Sequence, residues 1–128
     1  MTKEKFDIEY GLGNVSLNSL WNQLTTPNGL AAWFAEKVTI TNRTLYTFRW
    51  DKDMQQARVV LLKPDERIRY RWEDETDPVA YFEFSIHKLE LSGTTALQIT
   101  DFAEPSEKQD AIDLWDHQVD TLRRSLGI

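Results

Sequence analysis

The last stretch of the chain, residues 106–126, limits the fold more than any other part of the sequence. Ser106 with Gln109 three positions later matches a capping box, which predicts that a helix begins here. Gly127 predicts where the helix ends, because glycine readily adopts the left-handed conformation that closes a helix. The apolar residues recur at alternating intervals of three and four and share one narrow stripe: Ile112, Trp115, Val119, Leu122 and Leu126. A stripe that contains a tryptophan requires an apolar surface to cover.

The long stretch before this helix predicts that surface. From Lys37 to about residue 101 apolar and polar residues alternate with a period of two, which is typical of an antiparallel meander. In the clearest strand two opposite faces alternate residue by residue, Ile68, Tyr70 and Trp72 against Arg67, Arg69 and Arg71. We expect the arginines to face water and to pair across the sheet with Glu83.

Turn-forming residues divide the meander into six strands. They lie at residues 42–43, 51–53, 64–66, 73–78 and 92–93. After His87 the apolar phase shifts by one residue, because Leu89 and Leu91 are odd-numbered whereas Ile86 is even-numbered. Such a shift within a continuous strand predicts a β-bulge.

Before the meander the sequence predicts one strand and a kinked pair of helices. Residues 5–12 alternate as a half-buried strand. Ser16 then caps a helix with four residues predicted to face inward, Leu17, Leu20, Trp21 and Leu24. Thr26 and Pro27 begin a second helix, because proline at the first helical position loses only an N–H that has no partner. Three later residues are expected to face inward as well, Leu30, Trp33 and Phe34.

The order of these elements predicts one α+β domain over residues 1–128. A sheet of seven antiparallel strands exposes an apolar face that the short helix pair cannot cover alone. The remaining cover is the stripe of the last helix. We therefore expect a curved sheet that wraps around a long C-terminal helix, with the helix pair after the first strand.

Residues 26–34, TPNGLAAWF, resemble the motif that follows the first strand in the START-like helix-grip superfamily, also called SRPBCC. The resemblance extends from Lys5 to Gly127 in the order and length of the elements. Within the superfamily the chain is most similar to the small stand-alone START-like proteins of bacteroidetes-type bacteria. The neighbouring branch includes the Aha-type activator of the heat-shock ninety chaperone. The resemblance implies a deep cavity between sheet and helix, which in many members holds an apolar molecule or lipid, and it implies no fixed catalytic residues.

Composition excludes several classes of partner. The net charge is −6, whereas nucleic acids and anionic membrane surfaces bind cationic proteins, so neither is expected as a main partner. The chain has no cysteine, which excludes disulfides and thiolate chemistry. No apolar run has the length of a membrane span, and the start lacks the apolar core of a signal peptide. We therefore expect a cytoplasmic protein.

Groups that could carry catalysis or hold a metal are sparse. His117 follows Asp113 by one helical turn, and such a pair could act in acid–base chemistry. A surface pair is the favoured interpretation, because both residues lie on the charged side of the predicted helix. No cluster has metal-ligand spacing, so no catalytic residue, metal or cofactor is predicted. Asp101, in register with Leu97 and Ile99, is the polar residue that the alternation directs toward the interior.

Aromatic side chains are the most informative signal for a site. The chain has five Trp, six Phe and four Tyr, which require a large interior or a cavity. The residues predicted to line that interior come from the alternating strands, the helix pair and the helical stripe: Trp33, Phe34, Trp50, Tyr70, Trp72, Phe82, Phe84, Trp115 and Val119. Rings on both walls could also fill the space, in which case no ligand site would remain.

Three functions stay open on the sequence alone. The first is a non-enzymatic binding protein that holds an apolar or amphipathic, lipid-like ligand, with Tyr70 or Tyr46 fixing its orientation. The second is a protein-interaction domain of the chaperone-activator type, with a collapsed cavity and a partner on the outer arginines. The third is a cyclase-like or aromatase-like enzyme, which needs an acid–base group inside the cavity, and Asp101 is the candidate.

Overall fold

A computed structural model describes residues 2–128 and confirms the α+β architecture. The elements follow in the order β1 (Glu4–Gly13), α1 (Leu17–Thr25), α2 (Pro27–Ala31), β2 (Lys37–Thr41), β3 (Leu45–Trp50), β4 (Asp53–Lys63), β5 (Arg67–Trp72), β6 (Phe82–Lys88), β7 (Thr95–Ala103), a 3₁₀ turn (Pro105–Glu107) and α3 (Lys108–Leu126). The seven strands form one antiparallel sheet in the order β1-β7-β6-β5-β4-β3-β2. The sheet is thus a meander whose last strand pairs with the first.

The predicted bulge after His87 is wrong. Pairing between β6 and β7 is uninterrupted from Glu83 opposite Thr100 to Lys88 opposite Thr95. The apolar phase changes because residues 89–94 form the hairpin turn, in which Leu91 is fully exposed. Register shifts occur elsewhere, between residues 59 and 61 of β4 and between residues 11 and 13 of β1. An extra residue in one strand increases its local twist, so these two sites promote the bending of the sheet.

The helix pair begins at the two predicted caps. The Ser16 hydroxyl accepts the backbone N–H of Ser19 at 3.3 Å, and the Thr26 hydroxyl accepts that of Gly29 at 2.9 Å. The inward residues of the pair are fully buried, namely Leu20, Leu24 and Leu30. Leu17 was predicted to face inward but is 45% exposed, because it is the first residue of α1 and stays in contact with solvent. Gly29 lies so close to the Asn22 carbonyl that any side chain there would overlap it.

The long helix α3 has the predicted end but a different beginning. Gly127 adopts the left-handed conformation, with φ of 74°, and its N–H donates to the Arg124 carbonyl at 3.1 Å. The predicted capping box of Ser106 and Gln109 does not form. Pro105 begins a 3₁₀ turn that precedes α3, so Ser106 lies inside that turn and stays exposed. The helix therefore starts without a side-chain cap.

The apolar stripe of α3 covers the concave face of the sheet, as predicted. Trp115, Val119 and Leu122 are buried, and the residues at the two ends of the stripe, Ile112 and Leu126, are half-buried. A hydrogen bond from the Tyr10 hydroxyl to the carboxylate of Asp116, 2.7 Å long, ties α3 to β1. Burial raises the pKa of Tyr10, and the Asp116 carboxylate raises it further, so the hydroxyl remains a donor.

Two of the three outer arginines of β5, Arg69 and Arg71, are engaged by their neighbours. Arg69 forms the predicted cross-strand pair with Glu83, at 2.8 Å. Arg71 was predicted to face water, but its guanidinium donates to the carbonyls of Ala80 at 2.6 Å and Asp77 at 2.8 Å. It therefore anchors the loop between β5 and β6, and all three arginines of β5 are half-buried. A long side chain beside a loop satisfies backbone carbonyls that would otherwise lack donors.

Candidate functional site

The concave side of the sheet holds one continuous aromatic cluster. All nine residues predicted to line the interior belong to it or contact it, and the two at strand ends, Trp50 and Trp72, are only partly buried. Phe34 lies at its centre, stacked on Phe82 of the sheet and on Trp115 of α3 with ring centroids 5.7 Å apart in both cases. Phe34 therefore bridges sheet and helix, and this part of the interior is filled by side chains.

An open cleft of about 730 Å³ lies beside this filled centre, between the first half of α3 and the ends of β3 to β7. Its wall contains five of the nine predicted residues, Phe34, Trp50, Trp72, Phe82 and Trp115. The other four lie in the core outside that wall, namely Trp33, Tyr70, Phe84 and Val119. The space beneath α3 is thus a cleft at one end of the sheet, whereas the resemblance implied a deep cavity.

The loop after α2 is held against the cleft by its backbone. The carbonyl of Phe34 accepts two hydrogen bonds, from the indole N–H of Trp50 at 2.7 Å and from the side-chain amide of Gln118 at 3.1 Å. These bonds join the loop to β3 and to α3. The position of the Phe34 ring, and with it the inner limit of the cleft, is therefore fixed by three elements.

Asp101 provides a polar group within the aromatic wall. One carboxylate oxygen accepts the indole N–H of Trp115 at 2.9 Å, and the other accepts the backbone N–H of Phe102 at 2.7 Å. Burial raises the pKa of Asp101, although both N–H donors act in the opposite direction. The alternation of β7 had indicated this residue, and the structure places it in the cleft.

The two tyrosines considered for ligand orientation use their hydroxyls elsewhere. Tyr70 donates to the carbonyl of Leu24 at 2.8 Å, and Tyr46 donates to that of Thr25 at 2.6 Å. Both carbonyls belong to the last turn of α1, where they lack partners within the helix. Burial raises the pKa of each tyrosine, so both hydroxyls remain protonated donors to the helix end.

The remaining cleft residues were not indicated by the sequence patterns. They lie in turns, at a strand end or on the edge of the helical stripe: Asp53, Met54, Gln55, Asp74, Ala111, Leu114 and Gln118. Alternation assigns a face only within a regular strand, so it carries no information about a turn residue such as Asp74. Leu114 is 58% exposed, lies next to the stripe residue Trp115 and forms part of the apolar rim of the cleft. Its place outside the stripe gave no indication of this role.

The histidines lie away from the cleft wall. His117 is exposed, and within residues 2–128 it forms no ion pair with Asp113. Asp113 accepts a hydrogen bond from the side-chain amide of Gln109 at 2.9 Å. His87 is exposed on β6. Over the described part of the chain no group of three or more metal-ligating side chains comes together. No helix in that part has the length and apolar character needed to cross a membrane.

A curved antiparallel sheet that grips a C-terminal helix, with an aromatic cleft between them, defines the START-like class of proteins. The family model described as START-like superfamily domain matches residues 1–128, so the chain belongs to this superfamily. A small protein from Bacteroides fragilis, solved by NMR, has 41% sequence identity and a TM-score of 0.69, and the match covers 98% of this chain and 92% of that one. The resemblance stated from residues 26–34 is confirmed.

Two more distant structures share the fold. The Aha1 dimer from Colwellia psychrerythraea has 16% identity and a TM-score of 0.80, covering 98% of this chain and 97% of that one. DynU16, a protein in the dynemicin biosynthetic locus, has 19% identity and a TM-score of 0.77, covering 96% of this chain and 47% of that one. At these identities the likeness shows the fold alone. A search of curated protein sequences gives no match.

Proposed function

We propose that this protein binds one apolar or amphipathic, lipid-like small molecule in the cleft beneath α3 and releases it chemically unchanged. The observation that carries the proposal is the aromatic wall around an open space of about 730 Å³. Pockets for small organic ligands typically measure about 300–1,000 Å³ and are walled mainly by apolar and aromatic side chains. We place this activity in the cytoplasm. The chain has no cysteine, so the reducing conditions of that compartment remove no stabilising disulfide.

Apolar contact would supply most of the binding energy. A ligand that buries about 250 Å² of apolar surface gains about 6 kcal/mol at 25 cal/mol per Å², before the cost of association is subtracted. Trp72 and Phe82, whose ring centroids are 4.8 Å apart, offer a rigid surface for this contact. The polar side chains that line the cleft and could orient a ligand are Gln55, Gln118, Asp53, Asp74 and Asp101.

A second candidate function is acid–base catalysis of the cyclase or aromatase kind, and one observation favours it. Asp101 lines the cleft, and burial raises its pKa, which is the property required of a carboxylic acid that donates a proton near neutral pH. Against this stand the two N–H donors that already occupy its oxygens. Under the binding proposal Asp101 serves to hold Trp115.

The protein-interaction alternative has less support from the outer face. It relied on the arginines of β5, but Arg69 is paired with Glu83, and Arg71 is hydrogen-bonded to the carbonyls of residues 77 and 80. A partner would have to break these contacts before using either side chain. The similarity to the Aha1 dimer concerns the fold and supplies no interface for this chain.

Native mass spectrometry of the purified protein, combined with titration by dodecyl maltoside below its micelle concentration, tests the proposal. We expect a one-to-one complex and a change in tryptophan fluorescence, because three tryptophans line the cleft. Leu114→Gln removes an apolar wall residue and should weaken binding about fivefold, since it removes roughly 1 kcal/mol of apolar contact. Leu17→Gln is the matched control, because Leu17 is also exposed and helical but lies outside the cleft.

Three results would count against the proposal. Equal weakening by both leucine variants would show that binding occurs outside the cleft. The absence of any complex with this probe and with ionic dodecyl probes would remove the binding function. Recovery of a ligand whose mass changes on incubation with the protein, but not with Asp101→Asn, would favour the catalytic alternative.

A further inference from the structure

The charged residues that line the cleft all have the same sign. The wall contains three carboxylates, Asp53, Asp74 and Asp101, and over the described residues no Lys, Arg or His lines it. An anionic head group would enter this space against three negative charges and without a cationic partner. The cavity and its aromatic wall define the site, and the carboxylates determine which head group it accepts.

None of these three carboxylates has a cationic partner in the protein, as is true of most acidic residues over the described part of the chain. Glu73 pairs with Arg58 at 2.9 Å and Glu75 pairs with Lys3 at 2.7 Å, whereas Asp74 between them has no ion pair. Within residues 2–128 no salt bridge includes Asp53 or Asp101 either. The negative charge of the cleft wall is therefore not neutralised by an ion pair with a protein cation.

Aromatic rings accompany the carboxylates at the cleft rim. Trp50 lies opposite Asp53 across the hairpin of β3 and β4, and Trp72 precedes Asp74 by two residues at the end of β5. Both tryptophans are only partly buried and line the cleft. The face of an indole ring attracts ammonium groups, and a nearby carboxylate adds to this attraction.

We propose that the cleft selects amphiphiles with a cationic ammonium head over those with a carboxylate head. The head group lies at the rim, near Asp53 and Asp74 and against the faces of Trp50 and Trp72. The apolar tail extends inward along Phe82 toward Phe34. This inference rests on the proposed binding function and adds to it the charge of the ligand.

Three probes with the same twelve-carbon tail test the head group separately from the tail: dodecyltrimethylammonium, dodecanoate and neutral dodecyl maltoside. Each is titrated below its micelle concentration at low ionic strength, and binding is followed by tryptophan fluorescence and by calorimetry. We expect the ammonium probe to bind at least about tenfold more tightly than the carboxylate probe, with the neutral probe between them. Added salt should reduce the ratio, because the two rim carboxylates are exposed to solvent.

Two double variants separate the local charges from the net charge of −6. Asp53→Asn with Asp74→Asn removes the rim carboxylates and should reduce the ratio of affinities about fivefold. Glu66→Gln with Glu90→Gln removes the same charge from turns at the opposite end of the sheet and should leave the ratio unchanged. All four residues are exposed, so both double variants are expected to fold.

Each outcome decides one of the two proposals. Equal or tighter binding of dodecanoate would overturn the charge preference while the binding function stands. An equal loss of preference in both double variants would also overturn it, because the effect would then belong to the net charge. Failure of all three probes to bind would remove the binding function and the head-group preference with it.

Discussion

The indole of Trp115 joins α3 to the sheet in two ways that substitution can separate. Its ring is 6% exposed, stacks on Phe34 and meets the edge of Phe84 at a centroid distance of 5.8 Å. Its N–H donates to Asp101 at 2.9 Å. Trp115→Ala removes the ring and the donor, whereas Trp115→Phe removes the donor and keeps most of the ring.

The expected losses follow from these contacts. Replacing a buried large aromatic residue by alanine costs about 3–5 kcal/mol of unfolding free energy, because contacts are lost and a cavity is left. Loss of a hydrogen bond to a charged group costs about 1.5–3 kcal/mol, and the lower end applies because Asp101 keeps some contact with solvent. We therefore expect Trp115→Ala to cost about 4 kcal/mol and Trp115→Phe about 2 kcal/mol.

Urea unfolding followed by far-ultraviolet circular dichroism measures both losses without relying on the altered tryptophan signal. The midpoint should fall in the order wild type, Trp115→Phe, Trp115→Ala, with similar slopes for all three. A loss below about 2 kcal/mol for Trp115→Ala would refute the reasoning, since a ring that lines open space leaves no new cavity. A loss for Trp115→Phe as large as that for Trp115→Ala would show that the hydrogen bond, and not the ring, holds the helix.

Three further predictions concern the surroundings of the cleft. Because burial raises the pKa of Asp101 above 3.8, the contribution of Asp101 to the unfolding free energy should fall as pH rises from that value through the raised pKa. The unfolding free energy of the wild type minus that of Asp101→Asn, measured by urea titration at several pH values, should therefore fall over this range. Gly29→Ala should lower the free energy of unfolding by at least about 1–3 kcal/mol, because the new Cβ would overlap the Asn22 carbonyl. Gly11→Ala is the control, since a Cβ at residue 11 meets no other atom. An equally large loss of unfolding free energy in the control would contradict the prediction. Phe34→Ala should lower the free energy of unfolding, measured by thermal unfolding, by about 3–5 kcal/mol and should deepen the cleft. We therefore expect this variant to bind a sixteen-carbon ammonium probe more tightly than a twelve-carbon one. Equal binding of the two probes would contradict the role of Phe34 as the inner limit.

The fold could be predicted from the sequence because most of its elements bury only one face. Ile68 and Tyr70 are almost fully buried, while the arginines that alternate with them in β5 are half-buried, and this contrast appears directly as alternation. The apolar stripe of α3 was predicted equally well, because its three central residues, Trp115, Val119 and Leu122, are buried. Most of the predictions that failed lie at the ends of elements, where periodicity stops: the cap at Ser106, the orientation of Leu17 and the phase shift after His87. Arg71 lies inside β5, and its side chain binds the following loop, which alternation does not reveal.

The site was less predictable because alternation gives the face of a residue but not its distance from the helix. Tyr70 and Trp72 share one face of β5, yet Tyr70 is fully buried and hydrogen-bonded to α1, whereas Trp72 lies at the strand end and lines the cleft. The difference depends on where α3 crosses the sheet, which is a property of the tertiary structure. Asp53 and Asp74 flank strand ends, and their common environment exists only after the strands pair.

The inner limit of the cleft is formed by Phe34. Phe34, Trp50, Leu114 and Gln118 line the cleft and also border a shallow groove of about 380 Å³ on the outer side of the same loop. Phe34 borders both spaces, and its carbonyl accepts hydrogen bonds from Trp50 and Gln118. The packed aromatic centre stabilises the domain, and under the proposed binding function the same packing would stop a ligand at Phe34. Under the proposed binding function, stability and binding capacity therefore conflict at Phe34, because a deeper cleft requires the loss of ring contacts that hold the sheet to α3.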